Sequence, residues 1–127
     1  MSFGGLSALP VPCVVVVCGG RGYTDWQREY RELEALRPTR IAHGGAGGAD
    51  QIADDYAYYR HIPCKAYHAN WNKHGRAAGP IRNQEMLEAE QPHVVLAMPG
   101  GKGTADCVSR AKRMGIRVVE ITVSQVR

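Results

Sequence analysis

None of the four cysteines, Cys13, Cys18, Cys64 and Cys107, forms a Cys-x-x-Cys pair or lies at zinc-finger spacing from a histidine pair. This argues against a metal-clipped or disulfide-framed scaffold and predicts reduced thiols in a cytoplasmic protein without a metal centre. Long hydrophobic runs are missing too. "VVVV" with its flanks falls far short of the roughly 20 apolar residues of a membrane helix, and no basic segment precedes an apolar one at the start. Neither a membrane contact nor a secretory leader is expected. Aromatic residues make up only 7% of the chain and the net charge is only +4, which argues against a nucleic-acid partner while suiting a small anionic ligand. No glycine loop ends in Gly-Lys-Ser or Gly-Lys-Thr, and no Gly-x-Gly-x-x-Gly precedes an acid at the required spacing, so the phosphate-loop and dinucleotide fingerprints are both absent. No Ser-His-Asp order is identifiable, and the thiols lack a local activating pattern.

The chain does have glycine, 15 in 127 residues, gathered in clusters. Residues 1–10 read as a flexible tail and 11–127 as one domain. Val11 to Cys18 is a β-branched, continuously apolar run, as expected of a strand covered on both faces. Trp26, Tyr30, Leu33 and Leu36 then form the apolar stripe of a helix, with Asp25 near its start and Pro38 at its close. "RIAHGG" reads as a second strand. Ile52, Ala53, Tyr56 and Ala57 are the buried stripe of a second helix, and His61 marks its end. "CKAYHA" is a third strand, "NWNKHGRAAGP" an irregular stretch, and "IRNQEMLEAEQ" a helix with Pro80 at its first position. His93 to Met98 is a fourth strand, Thr104 to Met114 a helix with Ala105, Val108 and Ala111 inward, and Arg117 to Thr122 a fifth strand. His43 and His93 are assigned to strands as satisfied core or edge residues. The alternation predicts an α/β, Rossmann-like three-layer sandwich, with a mostly parallel five-stranded sheet and helices on both faces.

Three glycine clusters follow three of these strands, so all three are expected at the carboxyl edge, where such sheets bind ligands. They are "CGGRGYTD" with Gly19, Gly20, Arg21 and Tyr23, "AHGGAGGAD" with Gly44, Gly45, Gly47 and Asp50, and "MPGGKGTAD" with Pro99, Gly100, Gly101, Gly103, Thr104 and Asp106. Backbone N–H groups of Gly103 and Thr104, at the start of a helix, can face a phosphate. Thr104 either caps that helix or bonds the ligand, and Asp50 either complements its helix dipole or bonds a ribose hydroxyl. Arg21 and Arg82 are guanidinium candidates for bidentate pairing with phosphate. Around Arg82, "WNKHGRAAGPIRN" also supplies Trp71, His74 and Asn83, a stacking surface with donors on a long segment suited to a ligand lid.

These four blocks, in order from Gly19 to Asp106, resemble the YspA-type family of the SLOG superfamily, which also holds the DNA-processing protein DprA and the "lonely guy" (LOG) phosphoribohydrolases. The resemblance implies a nucleotide or nucleotide-derived ligand at the glycine-rich edge and a homodimer or higher homo-oligomer; no separate cofactor is expected. The LOG enzymes release the base from a nucleoside monophosphate with an arginine and the glutamate of PGGxGTxxE. These positions fall on Arg82 and Cys107, so a catalytic role would pass to the neighbouring Asp106. The expectation is therefore a nucleotide-binding sensor or sequestering protein. The alternatives are an N-glycosidic hydrolase using Arg82 and Asp106, and single-stranded DNA binding as in the DprA branch.

Overall fold

The computed structural model describes residues 11–123; the expected tail, residues 1–10, lies outside them. Five strands, β1 (Val14–Cys18), β2 (Arg40–His43), β3 (Cys64–Ala66), β4 (Val94–Ala97) and β5 (Arg117–Glu120), form one sheet in the order β3-β2-β1-β4-β5. Every pairing is parallel, not merely most of them. Strand β1 is shorter than its apolar run because Pro12 has no N–H to give a ladder, and Val11 and Pro12 are exposed.

The strand period of two sorts the core. Val15, Val17, Ile41, Val94 and Leu96 face helices α1 (Trp26–Leu36) and α2 (Ala49–Arg60), meeting Leu33, Ala53, Tyr56 and Ala57. Val16, Cys18, Ala42, Val95 and Ala97 face α4 (Ala78–Glu90) and α5 (Lys102–Arg113), meeting Met86, Leu87, Cys107, Val108 and Ala111. The result is a three-layer α/β/α domain of Rossmann-like form. Among the described residues, no helix is long and apolar enough to cross a membrane.

Several local expectations are corrected. The stretch expected to be irregular is a short helix, α3 (Trp71–His74), followed by a 3-10 turn over Gly75–Ala77 that runs into α4. Asn70 starts α3 by accepting the Lys73 N–H on its side chain at 3.0 Å. Pro80 is the third residue of α4, still within the first turn, where a missing N–H costs no helical bond. Helix α5 begins at Lys102 with Gly101 as N-cap, so Thr104 sits inside its first turn and caps nothing. Ala105 is exposed, and Cys107 takes the inward place beside Val108 and Ala111. Trp26 is 53% exposed and Ile52 half-buried; on α1 the buried positions are Glu29 and Leu33. His93 lies just before β4 and accepts the Val14 N–H on Nδ1 at 2.9 Å. Asp25 does cap α1, accepting from the Arg28 N–H at 3.1 Å, and His61 ends α2 in the left-handed conformation.

Candidate functional site

The strand order reverses on either side of β1, so the loops after β1 and β4 lie side by side at the switch point. They are stitched together: the Gly20 N–H donates to the Pro99 carbonyl at 2.8 Å, and the Ala49 N–H reaches the Gly20 carbonyl from the β2 loop at 3.1 Å. Packing of loop on loop explains several of the glycines. A methyl at Gly100 would lie 2.2 Å from Thr104 Oγ1, and one at Gly48, where φ is +63°, would lie 2.1 Å from the Gly20 carbonyl oxygen. Gly101 and Gly103 differ, since among the described residues no atom beyond their chain neighbours and their own helix backbone lies within 4 Å of where their Cβ would be. Their bareness serves no contact inside the chain.

Arg21, Gly44, Ala46 and Arg82 border two adjoining hollows, one reaching Gly103 and Thr104 at the start of α5 and the other His68 and Trp71; together they make up the groove. Arg82 is its brace. Nη1 donates to the Gly44 carbonyl at 2.5 Å and to the Tyr67 carbonyl at 3.2 Å, and Nε donates to Asn83 Oδ1 at 2.9 Å. Those bonds commit two nitrogens to the protein, and among the described residues Nη2 has no protein partner. Asp50 is buried behind the β2 loop, where Oδ2 accepts the N–H groups of Gly44 and Ala46, each at 3.1 Å. Burial raises its carboxyl above the usual range, against the opposing pull of those N–H groups.

Asp106 lies one layer behind the groove. Its Oδ2 accepts from Asn83 Nδ2 at 3.0 Å and from Arg110 Nε at 2.8 Å. Burial alone would raise it, but these donors outweigh that effect and hold the carboxyl below its ordinary range. Cys107, at the position of the LOG glutamate, is fully buried on the sheet side of α5. It meets Cys18, whose thiol is raised well above its ordinary value by the hydrogen bond it shares with Cys107 and by burial.

The groove gathers Gly19, Arg21, Gly44, Gly45, Gly47, Asp50, Trp71, Arg82, Asn83, Gly103 and Thr104 from the sequence-based set. Pro99, Gly100 and Gly101 open instead onto a hollow between α5 and β5 that also includes Thr104. Tyr23 faces away into a cleft beside α1, and His74 borders none of these hollows among the described residues. Trp71 is 49% exposed, with the Arg21 guanidinium 5.7 Å from its ring centre. His68 was missed by sequence reasoning: its ring lies where a Cβ on Gly45 would fall, 2.4 Å from Nδ1. It follows β3 at the same carboxyl edge, so applying the strand-end rule to "CKAYHA" would have found it.

Outside the groove, His43, Asp54 and Cys64 bring three potential metal-ligand atoms within 4.8 Å of one another. The Gly45 N–H donates to His43 Nδ1 at 3.0 Å, which places the imidazole proton on Nε2, aimed at Asp54 Oδ1 at 2.9 Å. In that tautomer Nε2 has no lone pair for a cation. Burial, followed by the nearby Asp54 carboxylate, pushes the Cys64 thiol up to about 12. The group is a brace between α2 and the sheet.

A doubly wound parallel sheet with glycine loops crowded at its switch point defines the Rossmann-like class. Within that class, the sequence model of the "YspA, cpYpsA-related SLOG family" matches residues 13–74. The Gene 61 protein of Mycobacterium phage D29 is 40% identical over 86 residues, covering 62% of this chain and 68% of that protein. The chain belongs to this SLOG family. Among solved structures, DNA processing protein A (DprA) from Streptococcus pneumoniae is similar at 17% identity with a TM-score of 0.44; the match covers 85% of this chain and 58% of the DprA chain.

Proposed function

We propose that the groove binds a nucleotide or a nucleotide-derived ligand and retains it intact, in a cytoplasmic sensing or sequestering role. One observation carries this reading: elements distant in sequence, at Arg21, Gly44–Ala46, Arg82 and Gly103–Thr104, converge on the groove's two adjoining hollows, which share Arg21, Gly44, Ala46 and Arg82 as their common border. Its α5 end offers the unpaired N–H groups of a helix start to a phosphate, with Arg82 Nη2 and Arg21 as cationic neighbours. The other end offers the half-exposed Trp71 ring as a stacking surface.

Retention is favoured over cleavage because the carboxylates near the groove are already engaged. Breaking an N-glycosidic bond requires a carboxylate to stabilise the oxocarbenium-like sugar or to activate water. Asp50 holds the β2 loop, and Asp106 is paired with Arg110 and Asn83. The test is incubation of the purified protein with nucleoside monophosphates, NAD, ADP-ribose and cyclic nucleotides, followed by mass spectrometry of released base and of protein-retained ligand. Intact retained ligand supports the reading. Free base that disappears in Asp106→Asn would replace binding with hydrolysis.

A further inference from the structure

A second cleft lies against the loops after β1 and β2. It has a volume of about 690 Å³ and lies between α1 and α2, walled by Tyr23, Trp26, Tyr30, Ile52 and Tyr59. Trp26 and Tyr30 meet edge to face, with centroids 5.2 Å apart, and Trp26 and Tyr59 are 53% and 68% exposed. This is a large aromatic surface to leave open to water on a chain otherwise sparing in aromatics. Its polar side chains include Thr24, Gln51, Asp55 and Arg60. Gln51 Nε2 donates to Asp55 Oδ1 at 3.0 Å, and both side chains border the cleft.

The position of this cleft identifies its occupant. Arg21 and Gly47 border the groove, while Tyr23 and Gly48 border the aromatic cleft. Only Gly22 lies between the bordering residues in the β1 loop and none lies between them in the β2 loop, so the backbone steps over this ridge from one hollow to the other span at most about 8 Å at 3.8 Å per residue. Gly48 lies so close under the Gly20 carbonyl that no side chain fits at that point of the ridge. We infer that the aromatic cleft is a second ring-binding subsite, and that the ligand carries two heteroaromatic rings joined through phosphates. One ring rests near Trp71, the phosphates cross the ridge beside Arg21, and the other ring enters among Trp26, Tyr30 and Tyr59. The remaining acceptor oxygens of Gln51 and Asp55 favour an amino-bearing heterocycle. This inference rests on the nucleotide reading and narrows it to dinucleotide-like ligands.

The chain has two tryptophans, and each borders one of the two hollows. Trp26→Phe leaves Trp71 to report on the groove, and Trp71→Phe leaves Trp26 to report on the aromatic cleft. The probes are NAD, FAD and diadenosine diphosphate, each with two rings, and AMP, GMP, CMP and UMP, each with one. The expected result is that at least one two-ring probe changes the fluorescence of both reporters, while single-ring probes change only Trp71. Ile52→Arg and Tyr59→Ala should each weaken the two-ring probe about tenfold and leave mononucleotide affinity within about twofold. If two-ring probes move Trp71 and leave Trp26 unchanged, the second subsite is overturned and the nucleotide reading stands. If no probe moves either reporter, both fall. If Trp26 emission instead depends on protein concentration in the absence of any probe, the cleft is an interface between copies of the chain, which also overturns the subsite.

Discussion

Glu29 is fully buried in the first turn of α1, and neither carboxylate oxygen has a hydrogen-bond partner. Burial, with a smaller contribution from the Asp50 carboxylate, raises its pKa from 4.5 to about 9. The folded protein therefore holds Glu29 protonated at neutral pH, whereas the unfolded chain ionises it. Because the folded pKa is the higher one, this contribution to stability is fully present below pH 4.5 and is lost as the pH rises towards about 9. At 1.36 kcal/mol per unit, the loss is about 3 kcal/mol by pH 7. Glu29→Gln preserves the shape and removes the titration. It should match the wild type near pH 4 and exceed it by about 2–3 kcal/mol at pH 7. Glu29→Leu, which also removes the unpartnered oxygens, should gain about 1 kcal/mol or more beyond that. The assay is urea unfolding of wild type and Glu29→Gln from pH 4 to pH 8.5, taking the difference at each pH so that titrations common to both cancel. Parallel stability curves between pH 5 and pH 8 would refute the reasoning, because they would require Glu29 to be ionised or partnered in the folded state.

The two classes of glycine should behave oppositely. Gly48→Ala, forced against the Gly20 carbonyl at positive φ, should lower stability by more than about 1 kcal/mol in thermal melts. Gly103→Ala, inside α5 with open space around it, should leave the fold as stable or up to about 1 kcal/mol more so. By calorimetric titration, the same Gly103→Ala change should weaken nucleotide binding, and unaltered affinity would remove the α5 start from the site. Arg82→Lys keeps the charge but cannot reproduce the bonds to Gly44, Tyr67 and Asn83, so it should both loosen the β2 loop in hydrogen exchange and weaken binding about tenfold or more. His61→Gly relieves a left-handed residue at the end of α2 (φ +58°) and should raise stability by about 1 kcal/mol in urea unfolding.

The sheet was legible because its signal is periodic and redundant: Val15 and Val17 against Val16 and Cys18 sort themselves onto two helical layers whatever the loops do. The helices were less legible where one residue broke the pattern. Glu29 occupies a buried position on α1 while Trp26, the larger apolar residue, stays half in water, and no count of apolar spacing anticipates that exchange. The site was legible as a neighbourhood but not as a set of roles. Glycine spacing brought the loops to one edge, yet it could not distinguish glycines that let loops touch, such as Gly48 and Gly100, from those that face open space, such as Gly101 and Gly103. That distinction depends on contacts between residues far apart in the chain. The same holds for the charged groups. Asp50, Arg82 and Asp106 were all candidates for a ligand from sequence, Asp50 with a helix-dipole role as its equal alternative, but their hydrogen bonds commit each of them first to holding another part of the protein. Such a site is built before any ligand arrives, with loops, guanidinium and helix start already fixed relative to one another. This preorganisation lowers the ordering cost of binding. It also leaves little freedom for a carboxylate to swing into a reactive position, which is the physical ground for the proposal that the groove grips its ligand and does not cut it.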